Sequence, residues 1–165
     1  MKQLKSQYIG LIIGAAMIGI SLISFYLLKI PIESNVQFLI YGVFMAGIVW
    51  SLFIFHKTVT DNKGFKDYFT AGFKTFVIVA LLMAVFAYIF FSFNTGFRDA
   101  KIAENNKLIL AEGNHLPNEI EENARQLKKL FMPIMVSSAM FRYLIIGALI
   151  SLVGAGFLSQ KKTTV

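Results

Sequence analysis

Cysteine is absent from the 165 residues. That removes disulfides, thiolate metal sites and cysteine nucleophiles together. Charge is scarce as well, at 15 % of the chain, against roughly 25 % in an ordinary soluble domain. Carboxylates are scarcest: nine, against 16 Lys and Arg, and none lies inside a long apolar run. Ion-coupled carriers commonly hold their ion on an intramembrane carboxylate or on the freed backbone of a broken helix. The first is missing, and Pro133 is the one residue that raises the second, so a coupled carrier is disfavoured. Histidine is limited to His56 and His115, in different loops, which argues against a histidine metal site. It also leaves Ser21, Ser24, Ser51, Ser92, Ser137, Ser138 and Ser151 with no base on their own helix to activate them. These serines read as helix–helix hydrogen bonders, and no enzyme, cofactor or metal is expected.

What the chain has in quantity is apolar mass. Apolar residues make up 56 % of it, with 17 phenylalanines. A soluble domain of this size has too much surface per volume to hide that much, so lipid is the solvent that fits. Four runs reach the length of about 20 residues that crosses a bilayer core. They cover about 8–28, 36–55, 75–93 and 139–158, within a single domain over residues 1–165. The first run is 21 residues long and has no small-x-small site after it. It is therefore read as a retained helix and not as a secretory signal. The net charge of +7 would point to nucleic acid in a soluble protein. Here the charges are confined between the runs, so anionic headgroups are the simpler partner and no nucleic acid is expected.

Lysine and arginine placement sets orientation. Lys2 and Lys5 precede the first run, Lys57, Lys63, Lys66 and Lys74 lie between the second and third, and Lys161 and Lys162 follow the fourth. With four spans these share one side, which places both termini in the cytoplasm. The segment 94–130 is different, with six basic and six acidic residues. Gly113 to Pro117 reads as a turn. Asn118 with Glu121 reads as a capping box, and Ile120, Ala124, Leu127 and Phe131 form a helical stripe. The expected architecture is an all-α membrane protein: a four-helix transmembrane bundle whose third and fourth helices extend into a charged extracytoplasmic hairpin.

Small residues recur at four-residue spacing in each run, where they let helix backbones approach: Gly10 and Gly14, Gly42 and Ala46 (then Gly47 and Ser51), Ala80 and Ala84, and Gly147, Ser151 and Ala155. They are candidate packing seams, within the bundle or between copies. Arg142 is the one charge inside a span. It is a candidate intramembrane polar site, or a side chain that snorkels to the headgroups. Phe65, Phe69 and Phe73 form an i, i+4, i+8 stripe flanked by Lys66 and Lys74. The spacing predicts a short interfacial helix before the third span.

The layout resembles a family of small bacterial membrane proteins catalogued as domain of unknown function 4199. The features that carry the resemblance are the basic start into a glycine-bearing first helix, the segment Gly64–Lys74, the charged stretch before the last helix, and the glycine-rich final span with its lysine tail. The resemblance implies a multipass bacterial membrane protein and transfers no activity or site residue; the inner membrane is the expected location. The residues themselves point to a non-enzymatic scaffold or accessory subunit, with the lipid bilayer and a membrane-protein partner or second copy as its contacts. The rival is a small pore or carrier for a small solute or ion.

Overall fold

The computed structural model describes residues 6–29, 35–58, 63–113 and 116–159. Lys2, Lys5, His115, Lys161 and Lys162 lie outside them. Every element among the described residues is helical. Helix α1 is Ser6–Leu22, followed by one π-helical turn, Ile23–Leu27. Then come α2, Val36–Thr58, α3, Phe65–Phe93, α4, Thr95–Glu112, and α5, Pro117–Leu158. Four helical stretches are long and apolar enough to cross a membrane: Ser6–Leu27, Val36–Thr58, Phe65–Phe93 and Pro117–Leu158. Their outer faces carry exposed Leu11, Ile12, Phe38, Trp50, Phe53, Leu81, Ile145 and Phe157. Water penalises such a surface and acyl chains accept it.

Helix starts follow from local chemistry. Asp67 reaches back three residues to the Gly64 N–H at 3.1 Å, and Glu119 does the same to Leu116 at 3.0 Å. Each acid satisfies one of the N–H groups that a helix start leaves unpaired. The expected capping box at Asn118 is therefore displaced. Helix α5 begins at Pro117, whose missing N–H is harmless at the first helical position. Gly113 ends α4 in the left-handed region, at φ 71°, a conformation glycine takes without steric penalty.

Two other expectations are corrected. The segment Gly64–Lys74 does not form a separate helix that turns into the third span, because α3 runs unbroken from Phe65 to Phe93. Nothing at Lys74 or Thr75 removes a backbone hydrogen bond, and the Thr75 hydroxyl sits 3.1 Å from the Ala71 carbonyl inside the same helix. Nor does α3 continue directly into the charged segment. It stops at Asn94 (φ −108°, ψ 61°), whose side-chain Nδ2 donates to the Phe90 carbonyl at 2.8 Å, and a new helix starts at Thr95. At the other end of that segment, α5 passes through Pro133 without a break.

Packing divides the chain into two units, one of residues up to Met83 with those from Met140 on, the other Ala84–Ala139. In the second, Phe91, Phe97 and Phe131 form a ring cluster with centroids 5.4–6.5 Å apart, tying the end of α3 and the start of α4 to α5. In the first, α1 and α3 run parallel: Gly10 meets Thr75 and Ile78, and Gly14 meets Leu82. Helices α2 and α5 are also parallel, since Phe44 meets Tyr143 and Leu52 meets Gly154. The two pairs oppose each other, with Ser51 beside Thr75 but Phe55 beside Tyr68.

The helices approach where side chains vanish. A Cβ on Gly10 would stand 2.8 Å from the Thr75 carbonyl oxygen, and one on Gly147 would stand 2.5 Å from the Phe76 Cβ. Gly42 has nothing within 4 Å. We expect Gly10→Ala and Gly147→Ala each to lower stability by about 1–3 kcal/mol, the usual cost of overpacking. Gly42→Ala should instead gain up to about 1 kcal/mol through helix propensity. Unfolding of the three variants in mixed micelles, titrated with a denaturing detergent, checks this. Equal midpoints would show that the helices do not meet at those glycines.

Candidate functional site

Polar side chains in the first unit gather at two levels along the helices and in one pair near the end of α2. At the first, Ser51 on α2 and Thr75 on α3 place their hydroxyl oxygens 2.6 Å apart, both fully buried. Thr75 Oγ1 is also 3.1 Å from the carbonyl oxygens of Ser6 and Ala71. Thr75 has one proton, which goes to a carbonyl, so Ser51 donates to the Thr75 oxygen. That single hydroxyl links three helices, α1, α2 and α3. Ser151 of α5, also fully buried, has its Oγ without a hydrogen-bond partner among the described residues. It lies against Gly72, where a Cβ would collide with it. The absent side chain is what lets α3 and α5 approach at this point.

Beyond this level, toward the start of α3, His56 Nδ1 and the Tyr68 hydroxyl share a hydrogen bond of 2.7 Å, and Phe55 packs edge-on against the Tyr68 ring. Along α3, Phe65 stacks on Phe69 and Phe73 is tilted against it, with centroids 6.1 and 6.2 Å apart. Phe65 and Phe73 are exposed, as are Lys66 and Lys74, while Phe69 is half-buried.

The second level holds the cation. Arg142 Nη1 of α5 donates to the Tyr41 hydroxyl of α2 at 3.0 Å. Tyr143 is buried beside it, edge-on to Phe44 and tilted against Tyr41. Arg142 lies nine residues before Ser151, so the two levels are about 14 Å apart along the helix axis. Arg142 is exposed, and no ion pair to it is found among the described residues.

The small residues divide by helix face. Gly10, Gly14, Gly147, Ser151 and Ala155 are buried, as are Ala80 and Ala84 of α3. Ala46 is exposed and Gly42 faces open space; the buried small residues of α2 are Gly47 and Ser51. Four-residue spacing identifies a row but not which side of the helix the row faces. The serines divide too. Ser51 bonds to another helix, while Ser21 and Ser92 donate to carbonyls of their own, Met17 and Tyr88. The tyrosine partners of Arg142 and His56 lie 101 and 12 residues away. Aromatic placement was the only hint of them in the sequence.

In the second unit the charges pair locally: Arg98 with Asp99 and Lys101 with Glu104, both at 2.9 Å, and Arg125 with Glu121 and Glu122 at 3.8 and 4.0 Å. The hydrogen bond from Arg98 holds the Asp99 carboxyl below its usual range, and that from Lys101 does the same for Glu104. Depressed carboxylates contribute above their ordinary pKa and lose that contribution as falling pH passes the lowered value. Both pairs are therefore intact at neutral pH, and weak because they are exposed. Among the described residues no group of three or more His, Asp or Glu could hold a metal ion.

Against known proteins, a family model described as "Protein of unknown function (DUF4199)" matches residues 8–160, nearly the whole chain. No curated protein and no solved structure matches.

Thr75→Val keeps the shape of the side chain and removes the hydroxyl on which the three helices converge. We expect a loss of about 0.5–2 kcal/mol, the range for one hydrogen bond in water or membrane. In a double-mutant cycle, Ser51→Ala should cost little once Thr75 is valine. Additive effects would show that the two hydroxyls do not interact.

Proposed function

We propose, from the premise that the chain belongs to the DUF4199 family, that it is a multipass protein of the bacterial inner membrane. Both ends face the cytoplasm, and the protein serves as a non-enzymatic scaffold or accessory subunit of a membrane complex. The observation that carries this reading is the filled centre of the first unit. Met17, Phe44, Ile48, Leu52 and Val79 are fully buried there, and glycines close the gaps between helices. A pore or carrier needs wettable groups along its path. Here Ser51, Thr75 and Ser151 are packed at one level and enclosed by apolar side chains, which favours the scaffold over the pore or carrier.

In this reading α4 and the first turns of α5 form the charged hairpin outside the bilayer. Its exposed Lys107, Glu121, Glu122, Lys128 and Lys129 are the surface offered to a membrane-protein partner or a second copy. Phe65 and Phe73, with Lys66 and Lys74, anchor the start of α3 at the cytoplasmic interface, where aromatic and basic side chains are favoured.

The cysteine-free chain allows orientation to be read directly. A single cysteine replacing Lys107 should react with a membrane-impermeant maleimide in intact spheroplasts. One replacing Lys63 should react only after lysis. The reverse pattern would invert the topology. For the scaffold itself, an amine-reactive crosslinker applied to native membranes should join the protein to a second chain through Lys107, Lys128 or Lys129. A monomer with no crosslinked species, together with solute flux in proteoliposomes, would replace the scaffold with the carrier.

A further inference from the structure

The pairing of Arg142 with Tyr41 has chemistry that packing alone does not require. Helices α2 and α5 are parallel, and helical side chains lean toward the N-terminus of their own helix. Tyr41 and Arg142 therefore lean the same way, toward the start of α2. Val36 lies five residues before Tyr41, about 8 Å along the axis, within the region that an arginine on a long apolar stem reaches by snorkelling. The Tyr41 hydroxyl accepts from Nη1, so its own proton remains to be donated. The guanidinium has further N–H groups beyond the one spent on Tyr41.

The surroundings of this pair are apolar and exposed: Phe38 and Met45 on α2, Ile145 and Leu149 on α5. They lie three to seven residues from Tyr41 and Arg142 along the same helices. Phe38 lies on the headgroup side of the pair, while Met45, Ile145 and Leu149 continue deeper into the bilayer, so two hydrogen-bond donors, one of them cationic, sit above a row of exposed apolar side chains. We infer that Arg142 and Tyr41 bind the phosphate of a phospholipid in the leaflet nearest the start of α2, with its acyl chains against Met45, Ile145 and Leu149. Guanidinium and phosphate match in charge and in planar donor geometry. The phosphate also supplies the anion that a cation at this depth requires. This inference rests on the membrane-spanning reading of the four helices and not on the scaffold role, since lipid retention and partner crosslinking are separate measurements.

The test is native mass spectrometry of the full-length protein released from detergent micelles. Dioleoylphosphatidylglycerol is added in one series and phosphate-free monoglucosyl diacylglycerol in another. The phospholipid should be retained and the glycolipid lost. Arg142→Gln should lower retention about tenfold, as loss of a charged hydrogen bond implies, and Arg142→Lys should restore part of it. Tyr41→Phe should lower retention about threefold, the smaller effect of a neutral donor. It keeps the ring that packs on Tyr143, and so tests the site even if Arg142→Gln fails to fold. Lys63→Gln removes an exposed charge near the start of α3 and should change retention less than twofold, since the site is local. Equal retention of both lipids, or wild-type retention in both the Arg142→Gln and Tyr41→Phe proteins, would overturn the inference. So would displacement of the lipid by inorganic phosphate at equal concentration, which would assign the site to a soluble anion.

Discussion

The contact on which the first unit depends is the approach of α1 to α3 at Gly10, where a missing side chain brings the helix against the Thr75 backbone. Apolar helices surrounded by lipid gain nothing from hiding their surfaces from each other. What holds them is close dispersion contact, which falls away within an ångström, and hydrogen bonds made out of reach of water. Both occur at this place. The approach at Gly10 brings the Ser6 carbonyl within 3.1 Å of Thr75 Oγ1, and that oxygen receives Ser51 from α2. Gly72, one turn away on α3, then admits Ser151 of α5. Thus each of the helices in this unit is registered against a common level.

Once that level is set, the second follows from helix geometry. Parallel α2 and α5 are held in register by Leu52 against Gly154, and the same register about three turns earlier on both helices brings Tyr41 beside Arg142. A shift of one residue on either helix would rotate one partner by about 100° and separate them. The packing that encloses the hydroxyls at one level is therefore what aligns the cation at the other. The proposed division of labour has the same origin, with a closed centre for structure and an exposed pair for lipid. Neither level carries the convergent acid and base that catalysis would use.

Much of the fold was legible because a bilayer restricts the choices. Run length and the absence of carboxylates in the runs are one-dimensional signals, and each has a one-dimensional physical cause. Helix ends were less so. The turn at Gly113 was readable from glycine's tolerance of left-handed backbone, whereas the stop at Asn94 depends on a side chain folding back to Phe90. The continuity of α3 through Lys74 was hidden for the opposite reason: an aromatic stripe with lysines has the same spacing in a surface helix and in the base of a span. Among the small residues, Gly10 and Gly42 have equal claims by spacing, and only one of them meets another helix.

The sequence by itself determined that this chain is all-helical, that four stretches suit lipid, and that charge belongs at the ends, because composition and run length act without regard to neighbours. It also marked Arg142 as the cation within an apolar run. Only the tertiary structure decided which face of each helix turns inward, that Thr75 joins three helices, that Gly42 and Ala46 face outward, and that Arg142 rests on Tyr41. Those facts depend on the rotation and register of helices far apart in the chain. Rotation and register are set by the summed contacts of many side chains, not by the spacing of any few.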